Sequence, residues 1–436
     1  MKRFFTALSA LIMALFLGGC DSVMNVEGVL SPPSLTAQQN NIYEALKKQV
    51  GSDIQLCYPQ NGEYRSAFII KNIDDEPTEE AIVFYKSGLE ATRSSNLRIN
   101  VLDQQEDGSW ISACDIAGSG FEVDRVEFGV FGTGDRINIV VGYKRDAAQK
   151  KTFTIYQYEA GMLKGKNEFE YDIFSLLKLP GSNESRLVFV GDVGPDRKKA
   201  MLVSQNSGGF QVNDSIPLYS EVYSYCSVTS GNVTTSRPAL FLEGYTYAGL
   251  CTQILTLEDG KLTNITYRAN VNLTAQTLRA QEMFCSDING DGIIEVPRTV
   301  LMPGHQELDP DAMYYTDWLA YVGNDFTVKE TTFINTFDGY QLSVPKNWKT
   351  AVSAERITEQ DEVAFYLYET SGKKGDELLR IRAVQKTEAE QNVLKQGFFK
   401  LASVGQITYM AKINIDANSE YRLVKDELFK RFSTIL

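Results

Sequence analysis

Histidine is almost absent from this chain, which has only His305 in 436 residues. A Ser-His-Asp triad, a papain-like dyad or a histidine-ligated zinc site would have to be built on that one residue. It lies in a segment rich in Pro and Gly, MPGHQELDP, and we expect an exposed loop residue. The sequence also lacks a phosphate-binding loop, a nucleophile elbow and an HExxH motif. We therefore predict no catalytic residues.

Runs of basic residues are missing as well. The chain has 43 Lys and Arg against 56 Asp and Glu, a net charge of -13. Residues 1–19 contain Lys2 and Arg3 but no acid, so their removal changes the charge to -13 - 2 = -15. A surface of this sign repels nucleic acid and anionic lipid. We predict no nucleic-acid partner.

Cysteines are few, and none has the CxxC spacing of a metal knuckle or redox site. Apart from Cys20 there are five, an odd number: Cys57, Cys114, Cys226, Cys251 and Cys285. Cysteine packs as a small hydrophobic residue, so we expect free thiols within β-structure. If a disulfide forms, Cys226 with Cys251 is the first candidate, because these two flank one hairpin-rich stretch.

The N-terminus has the layout of a signal peptide. Met1-Lys2-Arg3 is basic, and the apolar stretch that follows ends at Leu17, short of the ~20 residues that a spanning helix needs. The sequence Leu17-Gly18-Gly19-Cys20 resembles the lipobox of bacterial lipoproteins. That resemblance implies cleavage after residue 19, a lipid on Cys20, and attachment to the extracytoplasmic face of a bacterial membrane. An ordinary secretory signal or an uncleaved anchor is the alternative.

A tether and a short helix follow in residues 20–53. Residues 21–33 indicate a tether. Thr36 and Gln39 form a capping-box pattern, and Gly51 is placed to end the helix. Ile42, Ala45 and Leu46 share one helical face, which predicts an amphipathic helix.

Residues 54–335 contain short alternating apolar runs separated by turns, a pattern typical of β-strands. Five hairpin tips recur at steps of about 50 residues, except a last step of about 64: Asp107-Gly108, Gly161, Gly208-Gly209, Asp259-Gly260 and Gly323-Asn324. A second kind of turn, polar or acidic, begins between these tips at Asn72, Gly132, Asp192, Ser230 and Asp287. Two hairpins per repeat predict a mainly β fold with a β-propeller-like domain of about five blades. A β-sandwich or an open stack of hairpins remains the alternative.

The second kind of turn resembles the calcium loops of FG-GAP and VCBS repeats. The best copy has oxygen side chains at positions 1, 3, 5 and 9 and a glycine at position 6. Calcium takes 6 to 8 oxygen ligands, and this spacing wraps acidic side chains around one point. The resemblance implies a calcium site in which the backbone carbonyl of the residue at position 7, Ile293, adds a ligand to the side chains. The residues of this site are Asp287, Asn289, Asp291, Ile293 and Glu295. Position 12 is Arg298, so the loop is not an EF-hand. A polar turn held by Asx hydrogen bonds is the alternative.

A weaker metal candidate lies in the first copy of the turn. It keeps the spacing with Asn72, Asp74, Glu76 and Glu80, but Pro77 stands where glycine is expected. A turn without metal is favoured there. The remaining copies are barely acidic or lack several oxygen positions, which indicates a retained scaffold with mostly lost metal binding.

The pattern changes near Phe333, and residues 336–436 predict a small α+β domain. Helix-like stretches run over residues 388–401 and 420–432, with Ser419 placed to cap the second. The segment from Asp338 to Trp348 is similar to the opening strand and turn of PsbP-like domains, which implies a fold but no functional residues. We expect Trp348 to be a core residue.

Three functions are compatible with these features. The first is a non-catalytic binding or scaffolding module that meets an envelope protein or glycan. The second is a glycoside-processing enzyme with paired carboxylates in a central channel, drawn from residues near the inferred inner strands: Asp124, Glu127, Glu243 and Glu282. The third is a carbohydrate-binding module that uses a dense tyrosine patch: Tyr223, Tyr225, Tyr245 and Tyr247. We prefer the first.

Overall fold

The computed structural model describes most of the chain after residue 34, in the ranges 35–74, 76–88, 97–132, 134–145, 151–192, 194, 198–307, 309–369, 371–386 and 388–435. The signal-peptide layout, Cys20 and the tether lie outside these residues. Within the described ranges, no helix has the length and apolar character required to cross a membrane.

The first element is the predicted amphipathic helix, α1 (Ala37–Val50). Thr36 caps it by accepting a hydrogen bond from the Gln39 backbone N–H at 3.2 Å, and the Gln39 side chain accepts from the Thr36 N–H at 3.1 Å. This reciprocal capping box satisfies two otherwise unpaired donors. Ile42 and Leu46 are fully buried. The predicted helix, its cap and its apolar face are confirmed.

Nearly all that follows is antiparallel β-sheet. The first sheet contains β1 (Ile54–Leu56), β2 (Phe68–Lys71), β3 (Glu80–Ser87), β4 (Leu97–Gln104) and β5 (Trp110–Ala117), with β1 and β2 both paired to β3. The second is a four-stranded meander of β6 (Glu122–Val130), β7 (Ile137–Lys144), β8 (Lys151–Glu159) and β9 (Met162–Glu170).

The third and fourth sheets repeat this meander. The third contains β10 (Ile173–Lys178), β11 (Ser185–Asp192), β12 (Lys198–Asn206) and β13 (Gly209–Pro217). The fourth contains β14 (Ser224–Thr234), β15 (Arg237–Thr246), β16 (Gly249–Glu258) and β17 (Lys261–Asn264). A small hairpin, β18 (Tyr267–Arg268) with β19 (Val271–Asn272), and a 3-10 helix (Thr274–Thr277) follow outside the four-stranded sheets.

The last two sheets belong to the C-terminal third of the chain. The fifth orders β20 (Val296–Leu301), β21 (Tyr314–Val322), β22 (Asp325–Asn335), β23 (Tyr340–Ser343) and the C-terminal β29 (Phe432–Thr434). The sixth contains β24 (Val352–Ile357), β25 (Glu362–Tyr368), β26 (Lys374–Gln385), β27 (Phe399–Val404) and β28 (Ile407–Ile413). Short helices accompany them: α2 (Trp348–Ala351), a 3-10 turn (Thr358–Gln360), α3 (Glu388–Lys395) and α4 (Lys425–Arg431).

All five predicted hairpin tips are confirmed: in chain order they join β4 to β5, β8 to β9, β12 to β13, β16 to β17 and β21 to β22. At three of them both central residues have positive φ: 51° and 72° at Ala160-Gly161, 50° and 76° at Asp259-Gly260, and 60° and 71° at Gly323-Asn324. Left-handed pairs of this kind form the turns whose twist matches two antiparallel strands, and Asp, Asn and Gly tolerate them best. The positions of the repeated hairpins can therefore be predicted from the turn residues in the sequence.

The second kind of turn is regular at three of its five copies. Lys71 pairs with Glu80 across the first loop, in the hairpin of β2 and β3. Across the last loop an isolated bridge joins Ser286 to Glu295, directly before β20. The copy at Asp192 instead joins the second and third strands of its sheet, β11 and β12. Ser230 lies within β14, and the turn comes only after Thr234. The assignment of these two copies to the same turn was wrong: the Asp192 copy connects a different pair of strands, and at Ser230 a polar Ser/Thr run extends the β14–β15 ladder.

Successive sheets share apolar cores. Mixed clusters of buried side chains join the first sheet to the second, the second to the third, the third to the fourth and the fourth to the fifth. Phe153, for example, lies within 5.1 to 5.6 Å, ring centre to ring centre, of aromatic rings from its own sheet and the third: Phe169, Tyr171, Phe174 and Phe189. The order of the sheets in space is the order along the chain.

The two ends of this series are covered by different elements. α1 packs on the first sheet, and the sixth sheet packs on the fifth through a core centred on Trp348, Phe365 and Tyr409. Among the described residues no apolar cluster joins the fifth sheet to the first. Each terminal face is thus buried by an element from outside the repeat.

The C-terminal region differs in detail from the sequence-based expectation. Trp348 is fully buried and donates from Nε1 to the Tyr421 carbonyl at 2.7 Å, so its role as a core residue is confirmed. The predicted helix over 420–432 is only α4; it begins after Val424, without a cap from Ser419, because Asn418 folds the preceding segment into a turn by accepting from the Glu420 N–H. The stretch over 388–401 is helical only as far as Lys395.

Candidate functional site

A polar groove lies where the first strands of successive sheets approach one another. It encloses about 980 Å³ and is lined by residues 62–65 together with parts of β6, β10 and β14. Isolated parallel bridges join these segments, Asn61 to Arg125 and Val130 to Glu184. We call this cavity the inner groove. It is the place where four different sheets contribute side chains to one space.

Glu127 is the carboxylate most strongly affected by this environment. Burial raises its pKa to about 7; the Arg125 charge opposes the rise and the nearby Glu63 carboxylate adds to it. Arg125 Nη1 lies 3.7 Å from Glu127 Oε1, and the Ser175 hydroxyl lies 3.4 Å from the same oxygen. A carboxyl group with this pKa exchanges its proton near neutral pH.

Arg125 is held in place by the backbone of two other segments. Its Nη1 donates to the Phe174 carbonyl at 2.6 Å. Gly62, with φ of 86°, lets the chain pass so closely that a Cβ there would lie 3.1 Å from Arg125 Cγ. The guanidinium is therefore positioned before any ligand arrives.

The remaining lining of the inner groove is mixed: apolar side chains such as Phe128 and Ile137 lie beside a larger set of charged and polar ones. Both signs of charge are present, and several hydroxyls and an amide face the same space: Arg65, Lys71, Lys178, Asp135, Ser182, Asn183, Ser185, Thr229 and Ser230. Such a lining suits a ligand that exchanges many hydrogen bonds with water for hydrogen bonds with protein.

The four acids proposed for glycoside chemistry do not converge. Asp124 is buried by three donors, the Tyr171 hydroxyl at 2.6 Å, the Asn61 amide at 2.9 Å and the Lys151 ammonium at 3.1 Å. Only Glu127 lines the inner groove. The other carboxylates there are Glu63 and Asp135, which the sequence analysis did not single out.

Glu243 and Glu282 lie in the fourth sheet and the segment beyond it. Glu243 is fully buried in an ion pair with Arg279, 2.8 Å apart, and accepts the Cys285 N–H at 2.8 Å. Burial raises the Glu243 pKa, against the lowering effect of Arg279. Glu282 is exposed and accepts from the Tyr245 hydroxyl at 2.5 Å. Neither faces the inner groove.

The predicted calcium loop is built around Asp287. Its Oδ1 accepts from the Gly290 and Asp291 N–H groups at 2.7 and 3.1 Å, and its Oδ2 accepts from Gly292 at 2.8 Å. Asn289 accepts from Asp291 at 2.9 Å. Lys329 Nζ lies 3.1 Å from Asp291 Oδ2. These are the Asx hydrogen bonds of the polar-turn alternative, with a lysine as the nearest cation.

Two more contacts show that the first and last loops are one motif. In the last loop the Ile288 N–H donates to Glu295 Oε2 at 3.2 Å, and in the first the Ile73 N–H donates to Glu80 Oε2 at 2.7 Å. Glu76 likewise donates its N–H to Asp74 at 3.1 Å. Burial, with the charges of Asp74 among others, raises the Glu80 pKa to about 7.

Metal ligation is not evident from side-chain positions alone. In the part of the chain that the structure describes, no group of three or more His, Cys, Asp or Glu side chains is arranged to hold a metal ion. Both loops thus have oxygen-bearing side chains at the same spacing and form similar hydrogen bonds. Their carboxylates, however, do not converge on one point.

Three of the four predicted tyrosines form a surface group. Tyr223 stacks beside Tyr245 at 6.5 Å between ring centres and lies 5.4 Å from Tyr247, which is 96% exposed. Tyr225 is buried instead, and its hydroxyl accepts from Gln253 at 2.7 Å. We call Tyr223, Tyr245 and Tyr247 the tyrosine platform.

The five described cysteines are free thiols, including the proposed pair Cys226 and Cys251. That pairing was wrong: Cys226 lies at the surface beside the Glu243 carbonyl, whereas Cys251 is inside the core between the third and fourth sheets. His305 is half-buried, and its Nε2 lies 2.9 Å from the Ala354 carbonyl. It is less exposed than expected because the sixth sheet packs against its loop.

No protein-family model matches this chain, and no curated protein is significantly similar to it. The functional argument therefore depends on the residues themselves.

Replacing Glu127 with Gln tests the environment of the inner groove. Between the ordinary glutamate value near 4.5 and the raised value of about 7, the folded state holds a proton that the unfolded state has lost. Folding stability contributed by this group therefore falls as pH rises through that window. We expect Glu127→Gln to raise the melting temperature relative to wild type by about 1 to 3 °C more at pH 8 than at pH 4.

The matched control is Glu106→Gln, at an exposed hairpin tip, which should give the same difference at both pH values. A Glu127→Gln effect independent of pH would contradict the raised pKa.

Proposed function

We propose that this chain is a membrane-anchored extracytoplasmic lipoprotein that acts as a non-catalytic binding module. The observation that carries the binding role is the inner groove, a preformed polar cavity shared by four sheets. The observation that carries the location is the sequence Leu17-Gly18-Gly19-Cys20. The partner in this proposal is an envelope protein or a glycan.

Lipid attachment at Cys20 accounts for membrane association without a spanning helix. Two acyl chains on one cysteine stabilise attachment by ~0.8 kcal/mol for each buried methylene. Residues 21–33, a mixture of polar and apolar residues that ends in two prolines, then act as a tether that lets the folded part reach beyond the membrane surface.

We further propose that the five repeated sheets form an open, propeller-like array. Their four-stranded meanders, their sequential cores and the groove at their first strands support this arrangement. The coverage of the first sheet by α1 and of the fifth by the sixth sheet favours an array left open between its ends. In this arrangement residues 54–335 are the repeat domain and residues 336–436 are an α+β domain that covers its end, with β23 and β29 completing the fifth sheet.

Binding is favoured over catalysis by the state of the carboxylates. Asp124 and Glu243 are each neutralised by a cation and further donors, which suits a structural role. Arg125 fixes one charge in the groove, and the surrounding hydroxyls offer hydrogen bonds in several directions. A rigid, polar, partly charged groove selects a ligand by hydrogen-bond complementarity.

One observation favours the glycoside-processing alternative. Glu127 has the raised pKa of a general acid, and Glu63 supplies a second carboxylate in the same groove. The two functions differ in whether the protein hydrolyses a glycoside. If the wild type hydrolyses an aryl glycoside and Glu127→Gln does not, the protein is an enzyme and the proposed non-catalytic role is wrong.

Calcium is part of the proposal for the loop from Asp287 to Glu295. Residues with side-chain oxygens occur in this loop at the spacing that calcium loops have. In the structure the positive charge beside Asp291 is the Lys329 ammonium. Bound calcium would take the place of that lysine, with the Asp287, Asn289 and Asp291 side chains as ligands. The first loop, from Asn72 to Glu80, is the weaker candidate.

Anchoring is tested by substitution of the lipidated residue. We expect Cys20→Ala to abolish incorporation of a palmitate analogue and to move the protein from the membrane fraction to the soluble fraction or leave it unprocessed. Cys226→Ala, at an exposed free thiol, is the control and should stay lipid-labelled. Labelling that persists in Cys20→Ala would refute the anchor.

Calcium binding is tested by thermal unfolding with calcium, magnesium or a chelator. At 100 times the dissociation constant, calcium should add about 2.7 kcal/mol to the free energy of unfolding. The double variant Asp287→Ala, Asp291→Ala should lose this increase, whereas Lys329→Met should reach it at lower calcium because the competing ammonium is gone. A calcium response unchanged in the double variant, or no response in any protein, would exclude this loop as the site.

A further inference from the structure

A second cavity lies beside the third and fourth sheets and shares no lining residue with the inner groove. It encloses about 1170 Å³ and is lined by the ends of β11 to β13, residues 217–223 and the β18–β19 hairpin. We call it the outer groove. It exceeds the range of about 300 to 1,000 Å³ that accommodates most small ligands, so it has room for several linked sugar units.

Tyrosine rings form one side of the outer groove. Tyr219 and Tyr267 meet edge to face at 5.1 Å between ring centres, and Tyr223 lines the same cavity. Tyr223 is also a member of the tyrosine platform. The outer groove and the platform therefore form a continuous aromatic strip that leaves the cavity at Tyr223.

The main chain that carries these tyrosines is fixed by hydrogen bonds. The Tyr219 N–H donates to the Gln253 side chain at 2.7 Å, the Tyr223 N–H to the Tyr245 carbonyl at 3.0 Å, and the Tyr267 N–H to the buried Asn264 side chain at 2.9 Å. A tyrosine on an ordered main chain has only two side-chain torsions to restrict on binding, so the entropy cost is small. The strip is suited to a ligand with flat apolar faces and polar edges, as pyranose sugars have.

The charge of the outer groove is opposite to that of the chain as a whole. Lys198 is paired with Asp172 and Asp192, of which Asp192 also lines the groove. Lys199 and Arg268 line it too, and in the described part of the chain neither forms an ion pair. Two unmatched cations on an acidic protein select a ligand with acidic groups.

The wall that carries Arg268 is an addition to the repeat. The step between the tips at Gly260 and Gly323 is the longest of the series, and it contains the β18–β19 hairpin and the 3-10 helix after it. The hairpin makes no ladder with any of the larger sheets described. Its extra residues build the aromatic and cationic side of the outer groove rather than a blade.

We propose that the outer groove and the tyrosine platform bind a linear glycan that carries acidic groups at intervals. The sugar rings stack on Tyr219, Tyr223 and Tyr247, and the acidic groups meet Lys199 and Arg268. This deepens the binding role proposed above by naming a ligand class, and it rests on that role. Two cations can pair with only one or two acidic groups. A glycan with widely spaced acidic groups therefore fits this groove better than nucleic acid, which carries a charge on every nucleotide.

The test is calorimetric titration of the full chain in detergent micelles at low salt. The probes are hyaluronan hexasaccharide, its carboxyl methyl ester, a mannose oligosaccharide bearing one phosphate, and a single-stranded thymidine 20-mer. We expect binding of the hyaluronan probe, about tenfold weaker binding of the neutral ester, and weakening with salt. The phosphate probe tells whether phosphate serves as well as carboxylate.

Variants locate the site. Arg268→Gln, at an exposed position, should weaken hyaluronan binding about tenfold, and Tyr223→Ala or Tyr247→Ala by about three- to tenfold. The controls are Arg145→Gln and Tyr58→Ala, exposed residues remote from the groove, which should bind as wild type does.

Equal binding of acid and ester, tighter binding of the thymidine strand, or no binding of either acidic glycan would overturn the ligand class. Binding lost in Arg125→Gln but kept in Arg268→Gln would move the glycan to the inner groove, which overturns this inference while leaving the proposed binding role intact. Membrane fractionation of Cys20→Ala is independent of all these results.

Discussion

Burial of both faces of each repeated sheet is the constraint on which this structure depends. A four-stranded meander alone has too little apolar surface to stay folded in water, and a neighbour on each side supplies the rest. Here the clusters alternate along the chain, one between each pair of successive sheets. The two faces left over are covered by α1 and by the sixth sheet. Stability is therefore distributed over a series of interfaces rather than concentrated in one centre.

The same constraint determines where a ligand can bind. Because the faces of the sheets are buried against their neighbours, only the sheet edges and the connecting loops are free to bind a ligand. The segment between β1 and β2 brings Glu63, and β6 brings Arg125 and Glu127, into one groove to which four sheets contribute. In the outer groove, the inserted β18–β19 hairpin adds tyrosine and arginine next to Lys199. Hydrogen bonds hold the Arg125 guanidinium in the inner groove and the backbone of Tyr219 and Tyr267 in the outer groove.

Local features of the fold were predictable and long-range ones were not. The helix cap at Thr36 and all five hairpin tips depend on residues close in sequence, whose turn chemistry is specific. The similar loops at Asn72 and Asp287 were found for the same reason. Glu63 was missed because nothing in its neighbourhood marks it; its importance comes from Glu127, more than sixty residues later. The copy at Ser230 was misassigned because polar residues suit an exposed strand as well as a turn, and the copy at Asp192 because the sequence does not show which two strands of a sheet a turn connects.

Hydrogen exchange of the full chain, compared between wild type and Phe153→Ala, tests the distributed-interface account most directly. Phe153 lies in the core shared by the second and third sheets, and its loss should cost about 3 to 5 kcal/mol locally. We predict faster exchange in β6 to β13 and unchanged protection in the fifth and sixth sheets, with Ile111→Ala on the exposed face of β5 as the silent control. An equal loss of protection in every sheet would contradict the account, since it would mean one cooperative core.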